Sequence, residues 1–355
     1  MPLIDILPFA LPLAQEYRWA KGVQTERRGL LVRVEAFGAE GWGEAAPPIH
    51  WDTDAGAMAA EARTLVAGLP VEATDFLARL DARRPPPHTR CGIAAAWMSA
   101  RAAATGLPLA ALLGAQHAAT MPVNGLVTDK TPEEAATRAR DLVGQGARTL
   151  KVKCGADRAS DLARLAAIRA VAPAVALRLD ANESWPEDWA LDHVRDLARF
   201  EISYIEQPIP ASCGLDRLAA FRRASPVRTA LDESASDIAS VRAILGARAA
   251  DVIILKTQQA GGPDQARAVI EACAAAGVQV TVTVSLESAI GTAAALHVAS
   301  TLPEPRPDCG LAMGRFLARD LGPMPPIGEG FAMRLPSAGP GLGLVPDPAA
   351  VAALR

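Results

Sequence analysis

Apolar and polar positions change rhythm along this chain of 355 residues. Over residues 30–44 (LLVRVEAFGAEGWGE) apolar side chains alternate around a glycine-containing turn, which predicts two strands. Residues 54–82 and 91–114 carry Ala and Leu at helical spacing and predict helices, and the prolines of Arg84-Pro85-Pro86-Pro87-His88 predict a loop between them. Strands followed by helices describe an α+β module. From about residue 120 the rhythm becomes regular. Short apolar, β-branched runs at 122–127, 149–153, 176–180, 203–206, 228–231, 251–256, 278–284 and 308–313 alternate with Ala-rich two-faced stretches such as 132–145, 160–171 and 262–276. Eight strand signals separated by helices predict an α/β fold of the (β/α)8 type, a modified TIM barrel. The alternative is an open doubly wound sheet, which usually announces itself by a Gly-rich phosphate loop after an early strand; the sequence has none. Residues 322–355, with PSAGPGLGL, predict a stiff extended tail that folds back on the N-terminal module. The expected division is an α+β capping domain at 1–117, a barrel at 118–321, and a tail at 322–355 completing the cap.

Composition narrows the function classes. Half of the residues are hydrophobic and 21% are charged, enough to bury a large core. A net charge of −3 without a basic run argues against a nucleic-acid partner. The apolar residues are scattered, so no membrane span is expected. The opening MPLIDILPFALPLAQEYRW lacks a positive leading segment and is interrupted by Asp5, Pro8 and Pro12, which predicts a mature start instead of a signal peptide. Cys91, Cys154, Cys213, Cys273 and Cys309 show no CxxC spacing; they suit a reducing cytoplasm and read as small buried hydrophobes, not zinc ligands.

The chemistry lies where the predicted strands stop. One ends at Lys153 after Lys151, the next at Asp180 before Asn182, the next at Glu206, the next at Asp232-Glu233, and the next at Lys256. The intervals are 27, 26, 26 and 24 residues, about one βα unit each. In a parallel barrel these ends share one mouth. Three carboxylates gathered there repel one another unless a cation neutralises them, and oxygen ligands without His or Cys favour a hard ion, Mg²⁺ or Mn²⁺. The flanking lysines would face each other across it, with the α-carbon of a bound small-molecule carboxylate between them. Such an α-proton is weakly acidic, and the base must be neutral; burial and a nearby cation depress a lysine pKa. Lys151 points the same way as Lys153 and can act on it by like-charge repulsion.

A single acid after a strand is most often a helix cap, but lysine caps an N-terminus poorly and occurs twice here. Asn182 and Glu233 could be caps or supports, and Trp185 reads as packing. None of the five histidines ends a barrel strand; His193 and His297 fall in helical stretches and read as structural. Two other classes stay open: a Schiff-base aldolase using Lys153 or Lys256, and a barrel that only binds a small acid.

The motifs KVK (Lys151, Lys153), LDAN (Asp180, Asn182), IEQP (Glu206), LDES (Asp232, Glu233) and LK followed by GG (Lys256, Gly261, Gly262) resemble those of the enolase superfamily, in the muconate lactonising enzyme subgroup. The resemblance covers nearly the whole chain. It implies Asp180, Glu206 and Asp232 as Mg²⁺ ligands and Lys153 and Lys256 as acid, base or cation on opposite faces. Lys151, Asn182, Glu233, Ser285 and Glu287 are then expected to contact the substrate or support these groups. Members of the subgroup carry out cycloisomerisation, racemisation of N-acylamino acids, dipeptide epimerisation or dehydration. RWAKGVQTERRGLLVRV leading to GWGEAAP, SLESAIGTAAALHVAS, and CGLAMG with ARDL look like o-succinylbenzoate synthases, whereas dipeptide epimerases carry an acid pair where Ala312, Met313 and Gly314 stand here. Two departures concern substrate choice: Thr257-Gln258-Gln259 after Lys256, and Pro48-Ile49-His50-Trp51. Loops near 14–26 and 46–52 are expected to close over the mouth. Assembly into a homo-oligomer is left open.

Overall fold

The computed structural model describes residues 3–19, 22–114, 117–155, 157–337 and 339–354. The tip of the expected lid, Ala20 and Lys21, lies outside them.

The N-terminal module is an antiparallel sheet, β1 (Ile4–Trp19), β2 (Gly22–Ala36) and β3 (Ala39–Ala45), in that order, with α1 (Ala55–Val66), α2 (Phe76–Asp81), α3 (Pro87–Ala104) and α4 (Leu109–Leu113). The long β1 is absent from the sequence reading because Pro8 and Pro12 interrupt it. It is the edge strand of its sheet, with only an isolated bridge from Leu13 to Leu317 on its outer side, and a missing N–H is tolerated there. The predicted helices 54–82 and 91–114 are each broken in two. Gly68 (φ +70°) and Pro70 end the first, and Gly106 (φ +72°) and Pro108 end the second. The predicted loop 84–88 is shorter than expected, since α3 starts at Pro87, in the first turn, where proline costs no hydrogen bond.

Seven parallel strands follow: β5 (Gly125–Val127), β6 (Thr149–Lys153), β7 (Ala176–Asp180), β8 (Ile202–Glu206), β9 (Thr229–Leu231), β10 (Val252–Lys256) and β11 (Gln279–Thr283), side by side in chain order. Between them lie α5 (Pro132–Gly144), α6 (Arg158–Val171), α7 (Glu187–Ala198), α8 (Leu215–Ala224), α9 (Ile238–Ala247), the short α10 (Thr257–Ala260) and α11 (Pro263–Ala275); α12 (Ala289–Ala299) follows β11. The predicted eighth strand is reduced to a bridge: Cys309 pairs with Val123 and Gly310 with Thr283, both parallel. Four backbone hydrogen bonds of 2.8–3.1 Å join Cys309 and Gly310 to the two edges of the sheet and close the ring. Gly310 is a poor strand residue, but a Cβ there would sit 2.8 Å from Thr283 Cγ2, so the close approach excludes a side chain.

A third small sheet joins β4 (Thr120–Pro122) to β12 (Ile327–Gly328) and β13 (Ala332–Arg334) of the tail, and α13 (Pro348–Ala353) follows. The tail also reaches the helices of the N-terminal module: Leu109 N–H donates to Gly341 O (2.7 Å) and Leu342 N–H to Ser99 Oγ (2.9 Å). His297 is structural, as expected, since Nδ1 accepts from Ala110 N–H (3.2 Å) and Nε2 lies 3.0 Å from Leu342 O. The core is continuous across the module and the barrel because α3 and α12 are buried on all sides. α3 lies against β3 at the two glycines of GWGE: a Cβ on Gly41 would land on the backbone of Ala96 and Ala100, and one on Gly43 on Gly92 and Ala96.

Candidate active site

Each barrel strand ends where its apolar run ends, which brings the next polar side chains to the mouth. Lys153, Asp180 and Glu206 are mutual neighbours in register across β6, β7 and β8. Glu206 is paired with Ala230, so Asp232 stands two residues further out beyond β9. Lys256 ends β10. In a ring closed by the 309–310 bridge, β6 and β10 lie four staves apart, across the mouth from each other.

The side chains form one charged array. Lys151 Nζ bridges Asp180 Oδ2 (2.8 Å) and Glu206 Oε1 (2.7 Å), Lys153 Nζ meets Asp180 Oδ2 (2.7 Å), and Lys256 Nζ meets Asp232 Oδ2 (2.6 Å). Asn182 completes the arc: its Oδ1 accepts from Lys153 Nζ and its Nδ2 donates to Glu233 Oε1 (3.1 Å). Asn182 and Glu183 both have left-handed backbones, a conformation that asparagine tolerates and that concentrates at functional sites. The three acids are buried to within a few per cent, whereas the Lys153 side chain is 37% exposed against 17% for Lys256 and 15% for Lys151.

These acids carry electrostatic tension. Burial, then Asp180, pushes Glu206 up to about 8, while Lys151 offsets part of the shift. Burial and the charge of Asp232 raise Glu233 to about 7. For Lys151 and Lys256 burial acts downward as the sequence suggests, but the neighbouring carboxylates outweigh it and hold both ammonium groups above their usual range.

Among the described residues no three His, Cys, Asp or Glu side chains meet closely enough to enclose an ion as they stand, because lysine ammonium groups take up the oxygens between them. The donor set nevertheless fits a hard cation. Glu206 Oε2 and Asp232 Oδ1 are buried carboxylate oxygens without a partner, as is Glu233 Oε2. Such atoms are costly to leave unmatched, and an oxygen-only set suits Mg²⁺.

Ser285 and Glu287, expected beside the mouth, bond to each other. The Glu287 carboxylate turns back to the Ser285 N–H, next to Arg27 and Glu44, facing the N-terminal sheet. Glu44 in turn accepts from Ser288 N–H, Ser288 Oγ and Gly291 N–H at the start of α12. Burial raises Glu287 to about 7 from 4.5. A raised acid means that the folded chain holds more protons than the unfolded one between those values, so this group makes stability fall as pH rises through that window. Glu287→Gln is therefore expected to flatten the decline in melting temperature between about pH 4.5 and pH 7. An unchanged slope in a thermal-shift series would contradict this.

Sequence reasoning missed the supports. Gln207, inside IEQP, accepts through Oε1 from Asp232 N–H and Ser234 N–H (both 3.2 Å) and so fixes the strand end that bears Asp232. Glu44, Arg90 and Gln258 join the module to the barrel. The signal for Gln207 and Glu44 was a polar residue inside an otherwise apolar motif; for Arg90 there was none.

The family description "Enolase C-terminal domain-like" matches residues 134–350. The chain is 34% identical over 319 residues to the o-succinylbenzoate synthase of Thermobifida fusca (strain YX), covering 88% of this chain and 81% of that protein. It is 31% identical over 317 residues to the L-Ala-D/L-Glu epimerase of Bacillus subtilis (strain 168), covering 84% of each. Among solved structures it is similar to the muconate lactonizing enzyme from Pseudomonas fluorescens complexed with muconolactone, with a TM-score of 0.89, 27% identity, and coverage of 99% of this chain and 98% of that one.

Proposed function

This chain belongs to the enolase superfamily, among the relatives of muconate lactonising enzyme, and from that premise we propose that it removes the proton α to the carboxylate of a small organic acid, in an o-succinylbenzoate synthase-like dehydration. The observation that carries this reading is the pair of lysines ending β6 and β10, on opposite sides of an arc of buried acids with unmatched oxygens.

Asp180, Glu206 and Asp232 would hold Mg²⁺ or Mn²⁺. When bound, the ion supplies Lewis-acid polarisation of the substrate carboxylate and neutralises the acids around it. The chain's own groups do the rest. Lys153 has the most exposed side chain of the three lysines, and as the neutral amine it takes the α-proton. Asp180 and Asn182 hold that nitrogen in place. Lys256 faces the resulting anion as a cation, and the β-oxygen leaves as water with the proton that Lys153 took. Lys151 lies below, on the Asp180–Glu206 pair, within the same field. The 46–52 loop, whose His50 feels the charge of Lys256, would restrict water on that side of the mouth.

The second reading is racemisation or epimerisation of an N-acylamino acid or dipeptide, with Lys256 returning a proton on the far face. The opposition of the lysines favours it as directly. Cycloisomerisation of the muconate type would use the same groups. Free thiols at all five cysteines suit the cytoplasm, and no helix among the described residues is long and apolar enough to cross a membrane.

The test is deuterium uptake in D₂O with Mg²⁺, over N-succinyl amino acids, dipeptides and the o-succinylbenzoate precursor. Exchange or turnover that is lost in EDTA and restored by Mg²⁺ is expected. Full activity in EDTA, with borohydride trapping of a carbonyl substrate on Lys153 or Lys256, would replace the proposal by Schiff-base chemistry.

A further inference from the structure

The two opposed lysines are held by different parts of the molecule. Among the described residues, the supports behind Lys153 come from the barrel. Arg164 Nη1 donates to Lys153 O (2.8 Å), Asp161 accepts from Gly155 N–H (3.3 Å), His193 Nε2 lies 3.3 Å from Asp161 Oδ2, and Trp185 Nε1 donates to Gly155 O (2.9 Å).

Behind Lys256 the supports come from the N-terminal module. Lys256 is the residue before α10, a single turn. At its second residue, Gln258 pairs with strand β3 as another strand would: Oε1 accepts from Ala46 N–H (2.9 Å) and Nε2 donates to Glu44 O (2.8 Å). At the end of the turn, Arg90 of α3 donates to Gly261 O (2.7 Å) and forks onto Asp264 (2.9 and 2.8 Å), while Asp81 of α2 holds the other edge of the guanidinium (2.6 and 3.1 Å). Gly261 and Gly262 take left-handed and extended positive-φ backbones (φ +93° and +132°), and a Cβ on Gly262 would sit 3.1 Å from Ala94 of α3. Gln258 and Arg90 are themselves buried. The turn that follows Lys256 is therefore fastened at both ends to α3 and β3. No counterpart links the described residues of the 154–157 loop to that module.

We propose that Gln258 and Arg90 are positioning residues for Lys256, through which the N-terminal module governs proton chemistry on one face of the substrate while the barrel alone governs the other. The inference rests on the reading of Lys256 as the second-face group. Its consequence is that changes in the module alter the two faces unequally.

The experiment compares the wild type with Gln258→Ala, Arg90→Lys and Trp185→Phe, the last removing a support of Lys153. Each full-length protein is labelled briefly with acetic anhydride, and the peptides bearing Lys153 and Lys256 are quantified by mass spectrometry. Gln258→Ala and Arg90→Lys are expected to change labelling of Lys256 by about fivefold and leave Lys153 alone, and Trp185→Phe to do the reverse. Parallel changes at both lysines, or an unchanged Lys256 in Gln258→Ala and Arg90→Lys, would overturn the proposal. The same proteins are then incubated in D₂O with Mg²⁺ and N-succinyl-L- or N-succinyl-D-phenylalanine. A loss of about a hundredfold confined to one enantiomer is expected in Gln258→Ala and Arg90→Lys. An equal loss for both enantiomers would count against it. Selective labelling in a wild type that exchanges neither enantiomer would uphold the positioning and refute the racemase reading of Lys256 as a proton-transferring group.

Discussion

Lys153→Ala is expected to lower kcat/KM by about 10³- to 10⁴-fold, the scale of a lost general base, with little change in melting temperature. The two halves of this expectation have separate causes. Lys153 is the most solvent-reaching lysine of the array, and Asp180 keeps Lys151 Nζ and Asn182 N–H (3.0 Å) when it is gone. Lys151→Ala should behave oppositely in the metal-free protein, since it strips the ammonium group shared by two buried acids, at a cost of about 3–5 kcal/mol. Lys256→Ala then separates the two reactions. For a dehydratase it lowers turnover while α-proton removal by Lys153 continues. For a racemase it leaves exchange of one enantiomer without inversion. Initial rates and proton NMR in D₂O, with calorimetry alongside, decide the matter. Lys153→Ala retaining more than a tenth of wild-type exchange would remove Lys153 from the chemistry.

Gly41→Ala is expected to destabilise the fold by about 3 kcal/mol, the upper end of overpacking, although it adds one methyl group. The new Cβ falls on the backbone of α3 at Ala96 and Ala100, so no side-chain rotation can relieve it. α3 must move away from β3, and it carries Arg90, which holds Gly261 behind Lys256. The urea midpoint should fall with little change in slope, and activity should fall even where the protein is fully folded. Gly38→Ala provides the contrast within the same hairpin. Its Cβ would meet nothing within 4 Å, and its positive φ (+74°) brings only the modest strain of a turn. Equal midpoints for Gly41→Ala and wild type would refute the close-packing account.

The barrel was legible because its strands are short apolar runs, five of them stopped by a charge, and the same stops located the acids and lysines. Lys153, Asp180 and Glu206 were readable from spacing alone, as parallel strands in register repeat their ends at one height. What stayed hidden was set by long-range contact. β1 breaks the strand pattern with prolines that only an edge position excuses. The last stave is a two-residue bridge that no periodicity could mark. Glu287 ends a motif beside the mouth, yet its carboxylate turns toward Arg27, more than 250 residues away in sequence. The balance at Lys151 and Lys256 was hidden too, since sequence supplies burial and charge but not which of them outweighs the other.

The tail sets the order of assembly during synthesis. Arg334 pairs with Thr120, and Gly341 is joined to Leu107 and Leu109, so β4 and the start of α4 stay uncovered until residues 332–342 have emerged from the ribosome. Just before that point every barrel stave has been synthesised while β4 still lacks its partner strand β13. Stalling or truncation near residue 330 would leave exposed apolar surface that chaperones and proteases recognise.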